Sequence, residues 1–136
     1  MLGICKPSGP RSGSGGELLE IRGDALDPRG PGPKLIVQIV NDKTPNWGGG
    51  FSKAARERFP AAQEDFRRWA AEKKANLSLG SIRVTTVGDG THLASMVAQH
   101  GYGASDVPRI RYGALQSGLG QLREAAVNLN ATVHMP

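Results

Sequence analysis

The clearest pattern in the chain is an apolar run over residues 35–40, in which Gln38 is the one polar residue. The run is rich in β-branched residues, as in a strand that is covered on both faces of its sheet. A shorter alternation over residues 17–22 predicts an earlier strand, and the turn-forming residues 23–28 end it. The first part of the fold is therefore predicted to contain two strands.

A helical pattern follows Gly50 and extends to about residue 74, with apolar residues spaced along one face. Pro60 is expected to divide this segment into two helices, because proline disrupts a helix interior but fits a first turn. Residues 81–87 and 92–99 both have strand character and flank a Gly-Asp-Gly turn. This part of the chain is therefore predicted to form two helices and then a β-hairpin.

The end of the chain adds one more helix and one more strand. Residues 110–128 predict the helix, Asn130 a turn, and residues 131–136 a short strand. Strands and helices thus alternate, which predicts an α/β fold with a mixed β-sheet sandwiched between helices in three layers. In such sheets, ligands collect at the carboxyl ends of the strands.

The start of the chain differs in composition from the rest. Residues 1–16 are rich in glycine, serine and proline and predict a flexible tail, so a single domain is expected over residues 17–136. No apolar run approaches the roughly 20 residues of a membrane span, and the N-terminus lacks the apolar core of a secretory signal. Cys5 has no second cysteine to pair with. We therefore expect a cytoplasmic monomer with no membrane partner.

The net charge of +5 has two interpretations. One is a nucleic-acid partner. The other is a solvated helix face together with attraction to a small, phosphate-rich ligand. The basic residues within residues 53–74 alternate with acidic ones, a pattern typical of helix solubility and i,i+4 pairing. The second interpretation is therefore favoured, and nucleic acid remains the alternative.

Candidate chemistry is concentrated in residues 41–51, directly after the apolar strand. Three successive glycines leave backbone N–H groups uncovered, and the helix that starts behind them adds partial positive charge. Together they predict a site for a phosphate or pyrophosphate. Asn41 and Asp42 could hydrogen-bond a neighbouring sugar hydroxyl. Trp47 is either a lid over the ligand or a core anchor.

Several residues near this loop have alternative roles. Asp42 could orient Asn41, bind a ribose hydroxyl or act as a base. His100 follows a predicted strand near the same cleft and could contact the ligand, and Tyr102 could stack on a ring or be an ordinary loop aromatic. The histidine spacing does not predict a metal site, so neither a metal nor a cofactor is expected. Cys5 has no visible base beside it and is not a credible nucleophile.

Several segments resemble the macrodomain family, which binds ADP-ribose, in the order in which that family has them. The similarity is to the branch of bacterial macrodomains related to the terminal ADP-ribose glycohydrolase, and it covers about residues 18–136. The segments that carry it are residues 23–25, 35–42, 47–51, 96–101, 110–115 and 133–136.

The resemblance implies roles for individual residues. Asp24 would accept a hydrogen bond from the adenine amino group, Asn41 would contact the distal ribose, and the glycine amides would approach the ribose and diphosphate. The alternatives are an Asx turn for Asp24, a strand-end cap for Asn41 and a simple tight turn for the glycines. The predicted ligand-binding residues are Asp24, Ala25, Asn41, Trp47, Gly48, Gly49, Gly50 and Phe51.

The resemblance also implies a hydrolase that releases ADP-ribose from modified protein or nucleic acid, or that deacylates O-acetyl-ADP-ribose. Asn41, Asp42 and His100 are the catalytic candidates, and the alternative function is a non-catalytic ADP-ribose reader. The resemblance implies a second glycine-rich loop after the position of Pro136, followed in the hydrolytic members of this branch by a catalytic aspartate, so the fold is expected to be incomplete at its C-terminal end. Gln99 and His100 stand where one hydrolase of the branch has a lysine nucleophile.

Overall fold

The computed structural model of the protein describes residues 2–5, 17–20 and 23–136. It contains six strands and three helices within these ranges, and the fold begins with the strands nearest the N-terminus. The elements in chain order are β1 (Leu2–Cys5), β2 (Glu17–Glu20), β3 (Lys34–Asn41), α1 (Gly50–Arg58), α2 (Pro60–Glu72), β4 (Ile82–Gly88), β5 (Thr91–Gln99), α3 (Tyr112–Leu129) and β6 (Thr132–Met135).

The strands form one mixed sheet in the order β2-β1-β6-β3-β5-β4. Strand β3 is parallel to both β5 and β6, whereas β1 is antiparallel to β2 and β6, and β4 is antiparallel to β5. At the carboxyl end of the parallel pair, Asn41 lies opposite Gln99, after an irregularity in the register between Val40 and Asn41. The residues that follow β3 and β5 therefore leave the sheet side by side.

Helices cover both faces of the sheet. Ile36 and Val40 of β3 pack in a cluster with Phe66 of α2, while Leu35 and Val37 belong to a second cluster with α3. Successive β3 side chains thus enter opposite cores, which explains why the run is apolar without alternation. The mixed sheet between helix layers confirms the predicted fold class.

Gln38, the polar residue within that run, is buried between the sheet and the α1/α2 layer. It is 2% exposed, and its Nε2 donates a hydrogen bond to Ser95 Oγ on β5 at 2.9 Å. A buried amide is costly when it is unpaired, so this bond links β3 to β5 beneath the helices.

Identifiable residues and hydrogen bonds set the start and end of each helix. Phe59 ends α1, and its amide donates to the Ala55 carbonyl at 2.8 Å, while Pro60 begins α2 in the first turn as predicted. Helix α3 begins at Tyr112, two residues later than predicted, because the Arg111 amide donates to the Ala98 carbonyl at 2.9 Å and extends the edge of β5. Asn130 adopts a left-handed conformation with φ 53° and ends α3, which confirms the predicted turn.

The predicted flexible tail is wrong for Leu2–Cys5. This segment forms β1 and lies between β2 and β6, paired with both. Its strand conformation comes from hydrogen bonds to segments that are distant along the chain, so local composition carried no signal for it. Residues 6–16 of the predicted tail lie outside the described residues, as do residues 21 and 22 of the predicted first strand, of which β2 confirms Glu17–Glu20.

Candidate functional site

A cleft of about 710 Å³ opens at the carboxyl ends of β3 and β5. This is the edge of an α/β sheet at which ligands are expected. Its wall and floor come from the end of β3, the loop that leads into α1, and the segment that follows β5. The lining residues are Ile39, Val40, Asn41, Thr44, Asn46, Trp47, Gly48, Gly49, Gly50, Phe51, Ser52, Gln99 and Tyr102.

Trp47 fixes the chain just before the glycines. Its side chain is 3% exposed, and its ring packs against Phe66 with centroids 5.3 Å apart. Trp47 also has φ 52°, a left-handed conformation that is rare for a bulky residue and that persists only where packing holds it. Of the two predicted roles, the buried ring supports the core anchor.

The glycines form the uncovered N-terminus of α1. Gly49 is the N-cap, no side chain of the described residues caps the helix, and its first turn contains no acidic residue. Within the described part of the chain, a Cβ atom built at Gly48, Gly49 or Gly50 meets no atom within 4 Å, and of the three only Gly50 has a positive φ, at 57°. The protein itself therefore does not require glycine at positions 48 and 49. The backbone at these two positions carries no side chain and lies beside open space.

Asn41 forms the strand-end cap that was considered as its alternative role, and its contact with a ribose stays a prediction. Its Oδ1 accepts hydrogen bonds from the backbone amides of Lys43 and Thr44, each at 2.9 Å, and so caps the end of β3. Its Nδ2 has no hydrogen-bond partner within the described part of the chain, and the residue lines the cleft. The capped oxygen fixes the side chain, and the amide nitrogen remains able to donate to a ligand oxygen.

Asp42 and His100 form a hydrogen-bonded pair. His100 Nδ1 donates to Asp42 Oδ2 at 2.8 Å, and the Gly101 amide donates to Asp42 Oδ1 at 2.9 Å. Burial acts to raise the pKa of the Asp42 carboxyl, but the bonds from Gly101 and His100 outweigh it and hold this pKa below its usual value. Asp42 thus orients His100 rather than Asn41. Neither Asp42 nor His100 is among the residues that line the cleft.

Asp24 and Ala25 lie on the loop between β2 and β3, and neither is among the residues that line the cleft. Asp24 is exposed, and its Oδ1 accepts a hydrogen bond from the Leu26 amide at 2.9 Å, which is the Asx turn considered as its alternative role. Ala25 is buried, with 4% exposure. The predicted contact of Asp24 with adenine stays a prediction.

Several polar residues of the cleft were not among the predicted ligand-binding residues. Gln99 lies opposite Asn41 across the strand pair, and its Nε2 donates to the Gly101 carbonyl at 2.9 Å. The signal that could have identified it was its position at the end of a strand predicted to neighbour β3. Thr44, Asn46 and Ser52 also line the cleft, so its polar lining is larger than expected.

Comparison with known proteins gives the family. No protein-family model matches the chain. The chain is similar to a macrodomain protein from Streptomyces coelicolor, with a TM-score of 0.75 and 35% identity over 85% of this chain and 74% of that one. It is also similar to a protein of unknown function from Bacteroides thetaiotaomicron, with a TM-score of 0.78 and 33% identity over 85% and 74% of the two chains.

A more distant structure supports the fold alone. It is DarTG from Thermosipho africanus in complex with ADP-ribose, with a TM-score of 0.58 and 15% identity over 76% of this chain and 29% of that one. The fold and the cleft define an α/β domain with a cleft at the carboxyl ends of its parallel strands. Identity above 30% with the Streptomyces protein over most of both chains shows that this chain belongs to the macrodomain family.

The described residues also include no helix that is long and apolar enough to cross a membrane.

Proposed function

We propose that this protein binds ADP-ribose, with the diphosphate at Gly48–Gly49–Gly50 and the N-terminus of α1. The observation that carries the proposal is the uncapped start of this helix, where two glycines that no protein contact requires border the cleft. Backbone amides and the helix dipole favour an anion at such a position. Membership of the macrodomain family supports the choice of ligand.

The remaining contacts follow from the ligand's polarity. Asn41 Nδ2 would donate to a hydroxyl of the distal ribose, since its Oδ1 is already engaged by the chain. The Asp24 carboxylate would accept from the adenine amino group, and the Asx turn holds that carboxylate in place. Guanine offers an acceptor at the corresponding position, so Asp24 would exclude it. The net charge of +5 favours a ligand that carries two negative charges.

Hydrolysis of ADP-ribosyl adducts is the second candidate function, and the Asp42–His100 pair favours it. With Nδ1 donating to Asp42, the other ring nitrogen of His100 is the one available as a base, and its orientation is fixed. Against this, no carboxylate, imidazole or amine is among the described residues that line the cleft. Binding without turnover is therefore the function that the geometry supports best.

Calorimetric titration with ADP-ribose tests the binding proposal, and adenosine serves as the comparison ligand because it lacks both the diphosphate and the distal ribose. We expect ADP-ribose to bind and adenosine to bind far more weakly. Asp24→Asn keeps the Asx turn but replaces a carboxylate oxygen by an amide donor, so it should weaken ADP-ribose binding by about 1–3 kcal/mol. A folded protein that gives no heat with millimolar ADP-ribose would refute the proposal.

Hydrolysis has a separate test. The purified protein is incubated with a mono-ADP-ribosylated protein, and released ADP-ribose is measured by mass spectrometry. Release that is lost in His100→Gln but retained in His92→Gln would support chemistry at the Asp42–His100 pair. Tight ADP-ribose binding without release would support the function of a non-catalytic ADP-ribose reader.

Location and assembly complete the proposal. We place the protein in a reducing, cytoplasmic compartment because its sequence has one cysteine, and we propose that it acts as a monomer. Sedimentation of the purified chain in the presence of a reductant tests the monomeric state.

A further inference from the structure

Two side-chain amides lie next to each other at the carboxyl end of the parallel strand pair. Asn41 ends β3 and Gln99 ends β5, and the sheet register places the two residues opposite each other. Both line the cleft. Neighbouring strands lie about 4.8 Å apart, so the two side chains are close enough to contact one sugar. The tip of an amide carries both a donor and an acceptor, and its orientation decides which of them a ligand meets.

The chain fixes the orientation of the Asn41 amide. Its Oδ1 accepts hydrogen bonds from the backbone amides of Lys43 and Thr44, each at 2.9 Å. A half-turn of the side-chain amide would direct its own N–H groups at these two donors, and both bonds would be lost. Asn41 therefore offers a ligand its Nδ2, which is a donor.

The Gln99 amide is fixed with the opposite polarity. Its Nε2 donates to the Gly101 carbonyl at 2.9 Å, and a half-turn would set its oxygen against that carbonyl oxygen. Its Oε1 has no hydrogen-bond partner within the described part of the chain. This oxygen is also not among the buried polar atoms that lack a partner there, so it is accessible to solvent. Gln99 therefore offers a ligand its Oε1, which is an acceptor.

The turn that holds the Gln99 amide is itself held in place. The Gly101 amide donates to Asp42 Oδ1 at 2.9 Å, and the His100 amide donates to the Arg109 carbonyl at 2.7 Å. Gly101 has φ 69°, in the left-handed region that glycine adopts without strain. The Gly101 carbonyl thus orients Gln99 before a ligand arrives, which lowers the entropic cost of binding.

A donor beside an acceptor matches a hydroxyl group, which accepts one hydrogen bond and donates another. Ether, ester and ionised phosphate oxygens only accept, so they would satisfy Asn41 and leave Gln99 unpaired. An acceptor that is removed from water without a donor lowers affinity, and sites built to bind a hydroxyl reject analogues that lack it. In the proposed complex, the group beside Asn41 is the distal ribose, which carries two vicinal hydroxyls.

We infer that Gln99 accepts a hydrogen bond from a hydroxyl of the distal ribose, and so selects ligands in which that hydroxyl is free over ligands in which it is missing or acylated. The inference rests on the proposed function and narrows the ligand class of the same site. Gln99 acts here as a specificity residue, because it contacts the sugar and has no part in breaking a bond.

The test compares affinities for ADP-ribose and for two analogues, each of which lacks one of the two vicinal hydroxyls of the distal ribose. The preference of a protein is the ratio of its affinities for ADP-ribose and for an analogue. Because both affinities belong to one protein, a change in its folded fraction, or in its repulsion of the diphosphate, cancels from the ratio. Calorimetric titration of the full chain measures each affinity.

Two variants separate contact with the sugar from support of the turn. Gln99→Met removes both the donor and the acceptor, whereas Gln99→Glu keeps an acceptor and loses the bond to Gly101. Gln121→Met is the matched control, because Gln121 Nε2 also donates to a backbone carbonyl, that of Gly80 at 2.7 Å, and Gln121 does not line the cleft.

We expect the wild type and Gln121→Met to prefer ADP-ribose over one of the analogues by about tenfold or more. Gln99→Met should reduce this preference about three- to tenfold, the scale of one hydrogen bond, and Gln99→Glu should keep it. An undiminished preference in Gln99→Met, or no preference in the wild type, would overturn the inference.

An equal reduction in Gln99→Glu and Gln99→Met would also overturn the inference, because it would show that Gln99 acts through the turn at Gly101 and not on the sugar. A wild-type protein that does not bind ADP-ribose at all would instead refute the proposed function. The failure of the inference and the failure of the proposed function are thereby distinguished.

Discussion

The Asp42 carboxylate accepts a hydrogen bond from His100 Nδ1 at 2.8 Å, and so ties the end of β3 to the segment that follows β5. The two residues are 58 positions apart in sequence, and the Asp42 side chain is only 13% exposed. A second bond from the Gly101 amide completes the connection. This pair therefore shapes the side of the cleft on which Tyr102 lies.

Replacing Asp42 tests the structural role of this pair. Asp42→Asn leaves one acceptor oxygen for two donors and directs an amide N–H toward the other, so we expect the free energy of unfolding to fall by about 1–3 kcal/mol. Urea denaturation followed by circular dichroism measures it. Asp106→Asn, in the exposed part of the same segment, should change stability by less than about 0.5 kcal/mol. Equal unfolding midpoints for Asp42→Asn and the wild type would contradict the role.

His134 makes the stability of the folded protein depend on pH. Its side chain is 3% exposed within β6, with Nε2 at 2.7 Å from Thr132 Oγ1, and burial, together with the nearby Lys34 charge, lowers its pKa. Below the unfolded pKa of about 6.5, the unfolded chain binds a proton that the folded chain does not. The stability that the folded protein gains from keeping His134 neutral is therefore complete above about pH 6.5 and is lost as the pH falls toward the folded pKa.

The measurement is denaturant unfolding at pH 7.5 and at pH 5.5 in the wild type and in His134→Gln. We expect the wild type to lose more stability than the variant between the two pH values. The loss between the two conditions is the readout, because the substitution itself can change the stability at both. Equal losses in the two proteins would show that His134 is not responsible.

The anchoring role of Trp47 predicts a graded loss. Trp47→Ala removes a buried ring from its contact with Phe66 and should cost about 3–5 kcal/mol. Trp47→Phe keeps an aromatic ring there and removes an indole N–H that has no partner within the described residues, so it should cost clearly less. Thermal unfolding of both variants measures the difference. An alanine variant as stable as the wild type would show that the ring is not an anchor.

The sequence predicted the fold well where local chemistry decides it. The apolar run of β3, the break at Pro60 and the turn at Asn130 are all set by neighbouring residues, and the structure has all three. Strand β1 could not be predicted, because its conformation depends on pairing with β2 and β6. The start of α3 shifted for a related reason, since Arg111 bonds to Ala98 instead of starting the helix.

The site was predicted less completely than the fold. The sequence predicted a site at the glycine loop and Asn41 because these residues directly follow a strong strand, and they are among the residues that line the cleft. Sequence spacing left three roles open for Asp42, and the three-dimensional contact with His100 adds one that the sequence did not predict, the orientation of the imidazole. Gln99 and Thr44 carry no motif of their own, and the folding of distant segments brings them to the cleft.

The most direct test of the proposed ADP-ribose binding concerns Gly48 and Gly49. A Cβ atom at either position would meet no atom of the described residues within 4 Å. We predict that Gly48→Ala and Gly49→Ala each weaken ADP-ribose binding by about tenfold or more, because a methyl group would enter the space that the diphosphate needs. Their free energy of unfolding should stay at or above that of the wild type. Gly120→Ala, on an exposed position of α3 with no atom near its Cβ, should bind as the wild type does. Alanine variants at positions 48 and 49 that keep wild-type affinity for ADP-ribose would contradict the account.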